Sequence, residues 1–160
     1  MIVNRQSRIP VPLPGLESFL TRARRRLRLP KDALTVCLVT DAEIARWNRA
    51  YRGKSGATDV LSFRANGSEQ QSKPRRRRPA RNQLAFVAPS AGDATNYLGD
   101  IAIAPAVAKR NAKRFARTLD DEMRILILHG ILHLMGYDHE TDEGQMERRE
   151  MRLRRELRLA

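Results

Sequence analysis

Residues 120–139 read DDEMRILILHGILHLMGYDH, and this stretch decides the fold. Its acidic start, Asp120 to Glu122, suits a helix N-terminus, where carboxylates meet the positive end of the helix dipole. Met123 to Met135 is apolar nearly all round, which is typical of a buried helix. Gly136 tolerates the left-handed conformation that a C-terminal turn needs. The stretch therefore predicts a central, buried helix that ends at Gly136.

The chain contains three histidines, and all of them lie in this stretch. His129 and His133 are four residues apart, so on a helix they share a face with their Cβ atoms about 6 Å apart. The turn at Gly136 can bring His139 back to the same ion. Three neutral imidazoles leave a fourth tetrahedral position open, as in a catalytic zinc site. A single buried histidine is ordinarily a core residue, but three at this spacing favour one zinc ion per chain.

The histidine spacing is that of the zinc peptidase pattern H-E-x-x-H-x-x-G-x-x-H. The glutamate that serves as general base in those enzymes is Gly130 here. The pattern therefore predicts the metal geometry and disfavours peptide hydrolysis. Asp138 fits three roles: it could orient an imidazole, handle water, or hold a turn.

The composition predicts a polyanionic partner. The 160 residues include 31 Lys+Arg against 18 Asp+Glu, a net charge of +13, and 26 of the 31 bases are arginine. Arginine recognises phosphate in a bidentate manner, so nucleic acid is the favoured partner over a merely solvated basic surface. Residues 1–119 hold 24 bases and 8 acids, whereas residues 120–160 hold 7 and 10. A basic body thus borders a mildly acidic C-terminal segment.

Strand and helix patterns alternate along the rest of the chain. A basic amphipathic helix is expected over Leu16–Leu29, and a helix with a Thr40/Glu43 capping box from Asp41 to about Tyr51, ended by Gly53. The remaining expected elements are strands at Ala33–Val39, Thr58–Phe63 and Leu98–Ala104, a helix from Pro105 to about Thr118, and a last helix from about Thr141 to the C-terminus.

Residues 65–82 differ in kind from the rest. They include Gly67, two serines and two glutamines, and carry Arg75, Arg76, Arg77 and Arg78 between two prolines. This composition predicts a basic loop insertion. It could be a solvated tract or a mobile arm that contacts RNA phosphates, and the sequence favours neither reading.

The sequence predicts a cytoplasmic protein with no membrane partner. Cys37 is the one cysteine and lies in an apolar strand pattern, so it reads as a buried, inert thiol. The N-terminus lacks the apolar stretch of a signal peptide. The longest charge-poor apolar run, Ile125 to Met135, is too short to span a membrane.

Residues 129–139 match the signature H-G-x-L-H-L-x-G-Y-D-H at every fixed position, and so resemble the YbeY family of bacterial rRNA-maturation endoribonucleases. Two more stretches resemble that family, Asn48 to Gly53 followed by Thr58 to Phe63, and Leu98 to Ile101. The resemblance covers about residues 30–145.

The resemblance implies a single α/β domain over residues 1–160, with a small mixed sheet packed by helices and the metal site on the central helix and the following turn. It implies zinc held by His129, His133 and His139, and cleavage of single-stranded RNA. It also implies action on ribosomal RNA, notably the 3′ end of the small-subunit species, with the ribosome or its small subunit as partner and a part in ribosome quality control. The family's important arginine matches Arg52.

Arg52 and His129 are therefore the candidate catalytic residues, with Asp138 and Asp59 as candidate carboxylates beside the ligands. The phosphate clamp is the role expected of Arg52. A competing hypothesis is a ribosome-associated, RNA-binding assembly factor in which the metal only fixes the last helical turn. A zinc peptidase is the third, disfavoured by Gly130 and by the charge.

Overall fold

The computed structural model describes residues 1–65 and 96–159. Four strands in these ranges form one mixed sheet in the order β1-β2-β4-β3. The neighbours β1, β2 and β4 are parallel, and β3 runs antiparallel to β4 at the edge of the sheet. The strand bounds are β1 (Ile2–Asn4), β2 (Leu34–Leu38), β3 (Val60–Arg64) and β4 (Gly99–Ile103).

Five helices pack on this sheet within the described residues, so the predicted α/β fold with a small mixed sheet is confirmed. Their bounds are α1 (Leu13–Arg26), α2 (Asp41–Arg52), α3 (Pro105–Arg114), α4 (Leu119–Leu134) and α5 (Gln145–Glu156). The basic insertion predicted at about 65–82 lies outside the described residues, apart from Ala65.

The period-two alternation of the strands divides the core between the two faces of the sheet. Val36 and Ile101 point to the side that carries α1, α4 and α5, where the larger core lies. Cys37 and Ala102 point to the side of α2, where a smaller core includes Trp47. Burial raises the pKa of the Cys37 thiol to about 12, which agrees with the predicted inert thiol. No helix in the described ranges has the length and apolar character that a membrane span requires.

The start of α2 and the ends of α2 and α4 are found where the capping box and the glycines predict them. The Thr40 hydroxyl accepts from the Glu43 amide at 3.2 Å, and the Glu43 carboxylate accepts from the Thr40 amide at 3.1 Å, which completes the capping box. Gly53 ends α2 with φ of 64°, and Gly136 follows α4 with φ of 106°. The Tyr137 amide donates to the Leu132 carbonyl at 3.1 Å and closes the turn after α4.

Several element bounds differ from expectation. Helix α1 covers Leu13–Arg26 rather than Leu16–Leu29, and Arg28 takes a left-handed φ of 56° just after it. Strand β1 was not predicted, because it has three residues and depends on pairing with β2. Helix α3 stops at Arg114 rather than Thr118, since Ala116 adopts a left-handed φ of 53° and turns the chain. Helix α5 starts at Gln145 rather than Thr141, because the Asp142 carboxylate accepts from the Gly144 and Met146 amides, both at 2.8 Å.

Helix α4 lies against the centre of the sheet at Gly130. A Cβ atom at this position would stand 2.8 Å from Cγ2 and 2.9 Å from Cδ1 of Ile101 on β4. Ile101 is fully buried, so it has little room to move aside. The absent side chain therefore sets how closely the helix approaches the sheet.

We expect Gly130→Ala to destabilise the protein even though alanine favours helix by about 1 kcal/mol over glycine, because overpacking costs about 1–3 kcal/mol. Denaturant titration followed by circular dichroism measures the change. In an Ile101→Ala background the collision is absent, and the same Gly130→Ala change should then stabilise. A Gly130→Ala effect of the same sign and size in both backgrounds would contradict this account.

Candidate metal centre

The three histidines meet at the C-terminal end of α4. His129 and His133 extend from the helix, and His139 returns from the turn that follows it; one ligand nitrogen from each lies within 4.8 Å of the others. The Nε2 atoms of His129 and His133 are 3.1 Å apart. Two nitrogens bound to a tetrahedral zinc ion are about 3.3 Å apart, given zinc–nitrogen bonds of about 2.0–2.1 Å. The arrangement thus fits one divalent ion with little rearrangement.

The surroundings of His133 keep its imidazole neutral, as metal binding requires. Burial lowers the pKa of His133 to about 4, helped by repulsion from the nearby His129 and His139. The imidazole is therefore neutral at pH 7, with an electron pair available for a metal. His139 is exposed, whereas the other two rings are half-buried, so the centre opens toward solvent on the side of the turn.

Glu150 on α5 orients His129, a contact that no pattern in the sequence indicates. Its Oε2 lies 2.8 Å from Nδ1 of His129, while Oε1 pairs with Arg154. Burial raises the pKa of Glu150, but the hydrogen bond from His129 and the charge of Arg154 outweigh it and hold the pKa below its ordinary value. The resulting carboxylate accepts from Nδ1–H and directs Nε2 of His129 toward the metal position.

Edge strand β3 fixes the end of α4 from the other side. Arg64 donates to the His133 carbonyl from Nε at 3.0 Å and from Nη2 at 2.9 Å. Ser62, two residues earlier and on the same face, donates from its hydroxyl to the Gly130 carbonyl at 3.3 Å. A cation at a helix C-terminus also stabilises the helix dipole. These two side chains thereby hold the turn that carries the ligands.

Gly130 faces Ile101 and not the metal position, which explains the departure from the peptidase pattern. A side chain there would enter the packed contact between α4 and β4. The fold of this chain therefore leaves no room for a glutamate at the position that holds the general base in the peptidase pattern.

Asp138 holds the turn between the ligands. Its carboxylate accepts from the Glu140 amide at 3.0 Å and from the Thr141 hydroxyl at 3.2 Å. The bond from the Glu140 amide is the main reason that the pKa of Asp138 lies below its usual value. Of the three roles considered for Asp138, its contacts are those of a turn residue.

Asp59 binds away from the histidines. Its carboxylate accepts from the Val60 amide at 2.8 Å and from the Asn111 side chain at 3.1 Å. Its backbone carbonyl accepts from the Ala104 amide at 2.9 Å. These contacts tie β3 to α3, and the side-chain hydrogen bonds of Asp59 within the described residues do not include the three histidines.

Arg52 comes from the opposite face of the sheet and reaches the ligand turn. It ends α2, and its Nη2 lies 3.3 Å from Oε1 of Glu140, the residue after His139. The side chains of this pair are 39% and 58% exposed. The structure therefore brings Arg52 beside the metal centre, in contact with solvent. Arg75, Arg76, Arg77 and Arg78, predicted to contact RNA, lie outside the described residues.

Removing the carboxylate behind His129 should weaken metal binding. We expect Glu150→Ala to lower the affinity for zinc by about 10–100-fold, with a smaller loss for Glu150→Gln, because the amide oxygen still accepts from Nδ1–H. Competition with a chromophoric chelator measures the affinity directly. Glu156→Gln is the matched control, since Glu156 lies on the same helix and pairs with Arg26. Equal zinc affinity in wild type and Glu150→Ala would rule out the orienting role.

Comparison with known proteins places this centre in a family. A family model described as Endoribonuclease YbeY matches residues 2–158. A protein named Endoribonuclease YbeY from Koribacter versatilis is 37% identical over 159 residues, covering 99% of this chain and 86% of its own. Another with this name from Solibacter usitatus is 37% identical over 146 residues, covering 90% and 78%. The similarity therefore extends well beyond the histidine signature.

A solved structure is similar in fold. The solution structure of TM1509 from Thermotoga maritima matches with a TM-score of 0.56 and 24% identity, over 98% of this chain and 89% of that one. The similarity supports the arrangement of sheet and helices described above.

Proposed function

The chain belongs to the YbeY family of endoribonucleases, and we propose that it is a zinc-dependent enzyme that cleaves single-stranded RNA. We further propose that its substrate is ribosomal RNA, at the 3′ end of the small-subunit species, within the cytoplasm and in contact with the ribosome or its small subunit. In this proposal residues 1–160 act as one domain, and the same cleavage contributes to ribosome quality control.

The observation that carries the proposal is the three-histidine centre with Arg52 beside it. Three imidazole nitrogen donors leave one position open, which suits catalysis rather than a closed structural site. A bound zinc ion would polarise a phosphoryl oxygen and acidify water at that position. His129, His133 and His139 would hold the ion, with Glu150 fixing the orientation of His129.

Arg52 is suited to bind the scissile phosphate. Its pair with Glu140 is exposed, and exposed pairs contribute about 0–1 kcal/mol. Bidentate contacts between arginine and phosphate are considerably stronger, so a phosphate entering the centre would take the guanidinium from Glu140. Charge that develops on the phosphoryl oxygens would then be stabilised by a group already in position.

Cleavage assays on matched variants test the proposal. We expect wild type loaded with zinc to cleave single-stranded RNA, and His133→Ala to lose both zinc and cleavage. Arg52→Ala should retain zinc and lose about 10²–10³-fold in kcat, the range for removing one donor to a developing anion. Arg49→Ala is its control, because Arg49 is exposed in the same last turn of α2.

The same variants distinguish the proposed endoribonuclease from an RNA-binding assembly factor with a structural metal. A structural metal predicts that His129→Ala unfolds the domain and that Arg52→Ala supports normal ribosome assembly in cells. Undiminished RNA cleavage by zinc-free His133→Ala would refute the proposed enzyme. Metal content by mass spectrometry and melting by circular dichroism complete the set.

A further inference from the structure

Helix α3 ends in an exposed aromatic ring between two arginines. Phe115 is 54% exposed, the largest exposed fraction among the exposed large hydrophobic side chains of the described residues. The guanidinium carbons of Arg117 and Arg114 lie over its ring, 5.1 and 5.9 Å from the centroid. Leu119 to His129 spans about 15 Å of helix axis in α4, so Phe115 lies well away from the metal centre.

The backbone holds Phe115 in a rigid position. The Arg117 amide donates to the Ala112 carbonyl at 2.8 Å and the Ala116 amide to the Lys113 carbonyl at 3.3 Å, which is a Schellman ending. Ala116 takes the left-handed conformation at its centre. The ring is therefore presented by a closed turn.

Arg117 and Arg114 differ in how they are held. The Arg117 guanidinium pairs at 3.0 Å with Glu122, whose side chain is 4% exposed, so Arg117 is fixed under the ring. Arg114 is exposed and forms no ion pair within the described residues. Arg117 thus supports the ring, and Arg114 is free to exchange its contact for another.

The surface leading to Phe115 is basic. The four exposed positions of α3 are all cationic: Lys109, Arg110, Lys113 and Arg114. Arg110 pairs with Asp41 at 3.1 Å, while the other three form no ion pair in residues 1–65 and 96–159. The acids of the neighbouring first turn of α4 are largely engaged: Asp120 with Arg124, Asp121 with the Thr118 hydroxyl and Glu122 with Arg117.

We propose that Phe115 is a stacking site for one unpaired base of an RNA strand, with Lys113 and Arg114 binding the adjacent phosphates. Aromatic rings beside cations are the usual means of holding single-stranded nucleic acid, and stacking changes affinity by about 5- to 150-fold per base. An exposed cation–π contact is worth about two- to five-fold, so a base outcompetes Arg114 for the ring. This inference rests on the proposed RNA substrate and adds a second contact to it, remote from the cleavage centre.

Steady-state cleavage by the zinc-loaded, full-length chain tests the site. With an unstructured RNA of about a dozen nucleotides, Phe115→Ala should raise KM by about 5- to 150-fold at unchanged kcat, and Phe115→Tyr should restore the wild-type KM. A trinucleotide that cannot reach from the metal centre to Phe115 should be cleaved equally by both. Met151→Ala is the control, since Met151 is 49% exposed on the basic α5 and carries no ring.

Direct binding separates this site from the cleavage proposal. Anisotropy of the same labelled RNA, with EDTA added to keep it intact, should show weaker binding by Phe115→Ala with the same salt dependence. Arg114→Ala should reduce the slope of log affinity against log salt by about one. If wild type binds the RNA but does not cleave it, the proposed cleavage activity is refuted. The stacking site is then tested by comparing the RNA affinity of Phe115→Ala with that of wild type.

Two results from affinity and sedimentation measurements would overturn the stacking site. One is equal RNA affinity and equal KM for Phe115→Ala and wild type. The other is self-association in sedimentation that Phe115→Ala abolishes while RNA affinity stays unchanged, which would make the ring a contact between copies of the chain. Iodouridine placed along the RNA should crosslink to Phe115, and a crosslink pattern identical in Phe115→Ala also counts against the site.

Discussion

The contact of Gly130 with Ile101 is the constraint on which the metal centre depends. With no side chain in between, α4 lies close to β4, and the direction of every other residue on the helix is then set. Each helical residue turns about 100° from the last, so His129 and His133 lie within about 40° of each other, about 100° and 60° to one side of the direction in which Gly130 faces the sheet. A helix rotated by one residue would bury one of these ligands. The buried contact therefore determines the exposed chemistry.

Near the metal centre, edge strand β3 connects the elements that pack on the two faces of the sheet. Its alternation sends Ser62 and Arg64 to the carbonyls of α4, and Phe63 to the opposite face. There Phe63 packs edge-on against Tyr51 at 5.1 Å between ring centroids, close to the end of α2. Arg52, the next residue, is thereby positioned near the ligand turn although it lies on the other side of the sheet. An interior strand, with neighbours on both sides, could not join the two helices around its edge.

Much of this centre was predictable because its determinants are local. The spacing of the histidines, the capping box at Thr40 and the glycine at 136 act within one or two helical turns, and each was located from the sequence. Glu150 and Arg64 were missed because their contacts with His129 and His133 join residues 21 and 69 positions apart. No short-range pattern marks such partners. A search for carboxylates on the helix after the ligand turn would have included Glu150 among several candidates of equal standing.

The structure shows which contacts the acids of the C-terminal segment make. Residues 120–160 carry an excess of acids, which suggested an acidic region beside a basic body. Many of these acids are engaged locally: Asp142 caps α5, Asp138 holds the ligand turn, and Glu150 lies between His129 and Arg154. The arginines of α1, α3 and α5 are for the most part exposed. These carboxylates are held in place by their contacts, and the net charge of +16 on residues 1–119 outweighs the −3 of residues 120–160. An approaching RNA strand is attracted to the protein as a whole, and its placement at the centre depends on the few side chains that contact it.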